Sequence, residues 1–298
     1  MKILLFGKNG QVGWELQRSL SLVGNVITFG RNQTGGNLAE PFACSKLIKL
    51  EKPDVVINAA AYTGVDRAES EPELCRRVNA IAVDEIAAAC AEIGSLLVHY
   101  STDYVFDGSG NRPWKEDDSP NPLNVYGRTK LESELAIHKS GCHHLIFRTS
   151  WVYSARGANF AKKILRLAKQ HDTLSVISDQ FGAPTGADLI ADVTAQAIRC
   201  CRARSGLSGT YHLAPKGETS WHNYASYCIE SVRSNSSAIR LKANKIIPIS
   251  TVEYETAALR PLNSRICVEK IQNTFDLNIP NWQHGIDRLI ENLTLETF

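Results

Sequence analysis

The sequence predicts an α/β fold, a doubly wound parallel sheet followed by a smaller C-terminal domain, and three observations point there. Short apolar runs alternate with helix-like segments, a glycine-rich turn directly follows the first run, and the rhythm loosens after about residue 151. The runs are Lys2–Phe6, Asn25–Phe29, Asp54–Asn58, Leu96–Tyr100 and His144–Thr149. Their length and near-continuous apolar character suit strands buried on both faces, the condition of a parallel sheet. Helices are expected between them at Gln11–Leu22, at Glu73–Glu92 with its many alanines and valines, and at Tyr126–Lys139, which completes the strand–helix alternation.

Beyond Trp151, helices are expected at Asn159–Gln170, Asp188–Arg202, Trp221–Val232 and Trp282–Leu293, separated by Gly- and Pro-containing loops. The chain therefore divides into a nucleotide-binding domain over residues 1–150 and a mainly substrate-binding domain over 151–298. The segment near 186–214 is placed to return to the sheet. No internal repeat or low-complexity tract interrupts this order.

Composition narrows the partners. At 298 residues with 43% hydrophobic and 21% charged content, the chain has material for one large domain and a smaller one. Basic and acidic residues nearly cancel, 33 against 31 for a net charge of +2, so no overall field selects nucleic acid or an anionic membrane. A small molecule is the expected partner. The eight cysteines lack CxxC pairs and framework spacing, which argues against zinc or disulfides and for reduced thiols in a cytoplasm. The run Ile3–Phe6 is too short for a signal-peptide core, and no stretch reaches the ~20 apolar residues of a membrane helix.

Gly7, Gly10 and Gly13 form a GxxGxxG turn after the first strand, with Gln11 and Val12 opening the helix. The first glycine permits the tight turn, the second lets backbone approach a phosphate, and the third allows close helix packing. This is a Rossmann-like arrangement, in which the helix N-terminus faces the anion of a bound dinucleotide. After the second strand comes Gly30-Arg31-Asn32 in place of the acid common in NAD sites. Arg31 suits a 2′-phosphate, so NADPH is the favoured cofactor, with NADH left open.

Tyr126 and Lys130 lie one helical turn apart and share a face. Reduction of a carbonyl by hydride leaves an alkoxide that needs a proton donor, and Tyr126 can supply it. The Lys130 ammonium, together with the positive charge of the oxidised nicotinamide, is expected to bring the phenol from its ordinary ~10 to near neutrality, and Lys130 to hold the nicotinamide ribose. At the carboxyl end of the fourth strand, Ser101-Thr102-Asp103 occupies the position where ligands of open α/β sheets bind. Thr102, rather than Ser101, is chosen to hydrogen-bond the reacting oxygen.

These residues resemble the extended short-chain dehydrogenase/reductase superfamily, and within it the dTDP-4-dehydrorhamnose reductase family. The stretches that carry the likeness span nearly the whole chain: GKNGQVGWELQ, NAAAYTGVDRAESE, HYSTDYVFDG, PLNVYGRTK, FRTSWVY, DQFGAPTG, YHLA and RPLNSR. The resemblance implies reduction of the 4-keto group of dTDP-4-dehydro-L-rhamnose to dTDP-L-rhamnose. It makes Thr102, Tyr126 and Lys130 the catalytic group, and adds Ala61, Tyr62, Thr63 and Tyr100 to the cofactor residues. It brings Thr102, Asp103 and Trp151 to the sugar nucleotide, with Gln180, Phe181, Pro184, Thr185, Arg260 and Asn263 as weaker candidates for the diphosphate end. Residue type alone makes Trp151 a core aromatic, Asp103 a turn residue and Arg260 an ion-pair partner.

Departures from the family pattern fall at Gly30 and Asn37, where acids are common near the adenine pocket. Some members build a magnesium site at a dimer contact; Glu15 and Asp188 match it, but Asn292 takes the third place beside Glu291, and no metal is predicted. The oligomeric state is left open, a homodimer included. Three rival readings remain at this point. One is a sugar-nucleotide epimerase or 4,6-dehydratase, the latter disfavoured because Tyr104, not Glu, follows Asp103. Another is a non-catalytic regulatory subunit like that of methionine adenosyltransferase. The third is a ketoreductase for an unrelated carbonyl compound.

Overall fold

The computed structural model describes residues 1–235 and 240–295. Five strands alternate with helices through residue 149: β1 Lys2–Phe6, α1 Gln11–Leu20, β2 Asn25–Phe29, α2 Ala43–Glu51, β3 Val55–Asn58, α3 Val65–Ser70, α4 Pro72–Arg76, α5 Ala82–Ile93, β4 Leu96–Thr102, α6 Val125–Ser140 and β5 His144–Thr149. Then follow β6 Val152–Tyr153, α7 Phe160–Gln170, β7 Thr173–Ile177, β8 Phe181–Gly182, β9 Thr185–Gly186 and α8 Ala187–Ala203. The last elements are β10 Gly209–His212, β11 Thr219–Ser220, α9 Trp221–Asn235, β12 Lys245–Ile249, α10 Glu269–Phe275 and α11 Trp282–Leu295.

Six strands form one sheet in the order β10-β5-β4-β3-β1-β2, every pairing parallel. Its side chains alternate between two cores: Ile3, Leu5, Val55 and Ile57 face the layer of α1, α8 and α10, whereas Leu4, Phe6 and Val56 face that of α2, α5 and α6. The doubly wound parallel sheet read from the sequence is thus present. β10 lines up beside β5, and α8 packs on α1, where Arg18 pairs with Asp192 at 2.9 Å. A third core, around Tyr153, Tyr224, Trp282 and Ile286, joins α7, α9 and α11 to the parallel pair β7–β12.

One expected helix differs. Glu73–Glu92 is divided into α4, a π-helical turn Arg77–Ile81 and α5. Inside that turn, Asn79 points its side chain at Tyr62, donating to the Tyr62 carbonyl at 3.0 Å and accepting from its N–H at 2.8 Å. The wider turn accommodates an amide clamp that a regular helix would hydrogen-bond past.

Between α6 and the sheet lies a buried ion pair. Arg148 of β5 meets Glu134 of α6 at 2.6 Å, with side chains 6% and 3% exposed, and Ser101 of β4 donates to the same carboxylate. Arg148→Met is expected to destabilise the protein by about 3–5 kcal/mol, because it strands a buried carboxylate. Urea unfolding measures the loss, which should shrink when Glu134→Gln is added.

Candidate active site

At the carboxyl ends of the strands a cleft of about 840 Å³ opens between the loops after β1 and β3 on one side and β4, β5 and α6 on the other. This is where the strand order reverses from β1 outward, the position favoured for ligands in open α/β sheets.

The glycine loop forms one wall. Gly7 has φ +87°, and a Cβ there would lie 2.6 Å from the backbone of Ala59 and Ala60, so only glycine lets the two loops meet. Gly13 is a packing glycine, since its Cβ would fall 2.1 Å from the Gly7 carbonyl. Gly10 caps α1 without offering a side-chain acceptor, which leaves the first-turn N–H groups available to an anion. Gly7, Gly10, Gln11 and Val12 line the cleft, as do Arg31, Ala61, Tyr62 and Thr63. Gln11 also accepts from Asn159 at 3.2 Å, tying this wall to the start of α7. A bare helix terminus, backbone held open by glycine and a cationic Arg31 at the rim fit a dinucleotide with a 2′-phosphate.

Opposite stand Tyr100, Thr102, Asp103, Tyr126 and Lys130. Asn124 caps α6 by accepting from Gly127 N at 2.8 Å, and Gly127 allows the helix start to press on Tyr104, because a Cβ there would sit 2.2 Å from its carbonyl. Tyr126 is thereby held beside Tyr104, the rings edge to face at 6.0 Å. Thr102 Oγ1 also donates to Asp103 Oδ1 at 3.1 Å.

The electrostatics depart from the sequence expectation. Burial pushes the Tyr126 phenol well above the ordinary tyrosine range; the Asp103 charge adds to this and Thr102 opposes it. Lys130 does not lower it, because its ammonium is turned toward the strand, donating to the Tyr100 carbonyl at 2.6 Å and meeting His99 Nε2 at 3.1 Å. Burial in turn lowers Lys130 to about 8, against the pull of Glu134.

Trp151 adopts φ +48°, and Gly182 makes room for it, since a Cβ there would lie 2.9 Å from the indole. Its ring stacks on Trp221 with centroids 3.6 Å apart, and both tryptophans line the cleft. Gln180 stands behind this pair, accepting from Trp221 Nε1 at 3.1 Å. Arg260 is engaged by Asp66 at 2.7 Å. Phe181 lies under the Arg265 guanidinium, Pro184 and Thr185 are buried, and Asn263 donates to the Arg112 carbonyl at 2.8 Å. Trp221, Asn79 and Asn124 belong to the site's framework and were not singled out from sequence. Trp221 was visible as a helix-opening aromatic, but its partner lies 70 positions earlier.

Glu15 pairs with Arg18 at 3.3 Å and Asp188 with Arg288 at 3.5 Å. Among the described residues no group of three His, Cys, Asp or Glu is placed to hold a metal ion. All eight cysteines are free, and no described helix is long and apolar enough to cross a membrane.

Fold and cleft together define a Rossmann-type chain of short-chain dehydrogenase/reductase build. Residues 1–295 match the family model described as RmlD substrate binding domain. The chain is 50% identical over 299 residues to the dTDP-4-dehydrorhamnose reductase of Escherichia coli (strain K12), covering 100% of this chain and 99% of that one. The crystal structure of a dTDP-4-dehydrorhamnose reductase from Clostridium acetobutylicum matches with a TM-score of 0.89 and 34% identity over 98% of this chain and 99% of that one. The Bacillus anthracis enzyme of that name, solved in complex with NADP, matches with a TM-score of 0.88 and 31% identity over the same shares. The chain belongs to the dTDP-4-dehydrorhamnose reductase family.

Asp103 generates a prediction of its own. Its Oδ2 is buried without a partner, and burial pushes the carboxyl from its ordinary 3.8 up to about 7. Between those values the folded chain holds a proton that the unfolded chain has lost, so stability falls as pH rises through this window. Asp103→Asn should therefore raise Tm at pH ~8 by at least about 2–4 °C and leave it nearly unchanged near pH ~4, as scanning calorimetry would record.

Proposed function

We propose that this chain reduces the 4-keto group of dTDP-4-dehydro-L-rhamnose to dTDP-L-rhamnose with NADPH. The observation that carries the reading is the placement of Thr102, Tyr126 and Lys130 on one wall of the cleft, facing a glycine loop that can seat a dinucleotide. The cofactor, when bound, supplies the hydride. Thr102 and Tyr126 present their hydroxyls to the keto oxygen, and Tyr126 gives its proton to the oxygen as negative charge develops there. A phenol whose pKa is raised by burial is a poor acid toward water, but it donates readily to an alkoxide, a far stronger base. Lys130 would hold the nicotinamide ribose, its amine anchored by the Tyr100 carbonyl.

Residues 1–150, with the returning segment near 186–214, form the nucleotide-binding part, and the third core forms the part that grips the sugar nucleotide. Asp103 and Trp151 contact the substrate; Gly7, Gly10, Gln11, Val12, Gly13, Arg31, Ala61, Tyr62, Thr63 and Tyr100 hold or shape the cofactor site. Gln180 acts on the substrate side through Trp221, while Arg260 braces the wall through Asp66. The eight unpaired cysteines suit a cytoplasmic location, and a homodimer is the assembly this reading carries.

The deciding experiment mixes pure protein with NADPH and dTDP-4-dehydro-L-rhamnose, follows loss of the reduced cofactor's absorbance and identifies the sugar formed. Nucleotide-dependent loss of absorbance with dTDP-L-rhamnose as product supports the reading; epimerised sugar without net oxidation refutes it. Tyr126→Phe is expected to lower kcat about 10²–10⁴-fold with NADPH affinity nearly intact. Lys130→Ala should weaken both kcat and NADPH binding, which fluorescence titration separates.

A further inference from the structure

Behind Lys130 lies a hydrogen-bond network that the proposed chemistry does not use. His99 sits mid-strand in β4 at 1% exposure, with its ring between β3 and α6. Its Nδ1 is 3.3 Å from Asn58 Nδ2, and its Nε2 is 3.1 Å from both Ser133 Oγ and Lys130 Nζ.

The hydrogens in this network can be placed. Ala60 N donates to Asn58 Oδ1 at 3.2 Å, which turns the Asn58 NH₂ toward the ring and makes Nδ1 an acceptor. Ser133 spends its hydroxyl hydrogen on the Lys130 carbonyl at 2.6 Å, so its oxygen can only accept from Nε2. A neutral imidazole carries one N–H, and both partners assign it to Nε2. Protonating the ring fully is opposed by burial and then by the Lys130 charge, which hold it well below the usual histidine range. Lys130 Nζ faces that same N–H. An ammonium there meets hydrogen with hydrogen, whereas a neutral amine offers a lone pair to Nε2–H and still donates to the Tyr100 carbonyl.

We propose that His99, locked by Asn58 and Ser133, is a positioning residue that governs the proton on Lys130 by favouring its free-amine form. The inference rests on the reading of Lys130 as the residue that holds the cofactor ribose. Two other groups bear on the lysine: Glu134 on its own helix and Cys75 from α4 both favour the ammonium. Glu134 already carries Arg148, and its charge is largely spent. Burial and the imidazole act together against them, so the charge on Lys130 comes and goes near working pH.

The test has two arms on protein without added nucleotide. Two-bond ¹⁵N–¹H spectra of histidine-labelled wild-type protein report which ring nitrogen of His99 bears hydrogen; Nε2–H is expected from about pH 6 to 9. A ¹³Cε titration of labelled lysines, assigned with Lys130→Arg, reads the Lys130 midpoint directly. His99→Gln, whose Oε1 can accept from the ammonium, should raise that midpoint by about one pH unit. The corresponding limb of the kcat–pH profile should move by the same amount, with KM for the sugar nucleotide unchanged. An Nδ1–H tautomer in the wild type, or an unmoved midpoint in a folded His99→Gln protein, overturns the proposal. Neither spectroscopic arm uses substrate, so their failure is distinct from failure of the reductase assay.

Discussion

The Glu134–Arg148 pair is the contact on which the placement of the β4–α6 wall of the cleft depends. Removing two charges from water costs several kcal/mol each, and their attraction in the interior roughly restores the loss, so the pair adds little net stability. It adds register. Arg148 belongs to β5, Glu134 to α6, and Ser101, bound to the same carboxylate, to β4. A helix displaced by even a fraction of a turn would leave a charge buried and unmatched. Tyr126 and Lys130 lie two turns and one turn before Glu134 on that helix, and Thr102 follows Ser101 on its strand. One salt bridge therefore fixes where Thr102 stands relative to Tyr126 and Lys130.

The facing wall is fixed differently, by the lack of side chains. Gly7 and Gly13 let the β1 loop, the β3 loop and α1 approach closer than any Cβ allows, and the cleft above them keeps exposed backbone N–H groups. Asn79, seated in its π-helical turn, fixes Tyr62 on the same side through two backbone hydrogen bonds. Glycine contacts hold one wall and an ion pair holds the other.

Local chemistry made much of this legible in the sequence. Each of the five strands lay where an apolar run was bounded by polar residues, and the glycine loop and the Tyr126–Lys130 spacing announced the two walls. Unseen were features made by distant partners. The stack of Trp151 on Trp221 and the gap left by Gly182 join segments that no periodicity connects. The orientation of Lys130 depends on a carbonyl and an imidazole of β4, so a phenol pKa lowered by the lysine was inferred where burial raises it. The π-helical turn was hidden because its composition is as helical as its neighbours.

Strand β10 and helix α8 carry a consequence for how the molecule is made. The sheet edge at β5 and one flank of α1 are covered by β10 and α8, within residues 187–212, which follow β6, α7 and β7 in the chain. A nascent polypeptide ending near residue 150 thus presents an open strand edge and a bare apolar surface, both invitations to wrong pairing. Non-local closure of this kind slows folding. On the ribosome, the nucleotide-binding half must wait for about sixty further residues to emerge before its sheet can be sealed, so the two halves are coupled from synthesis onward.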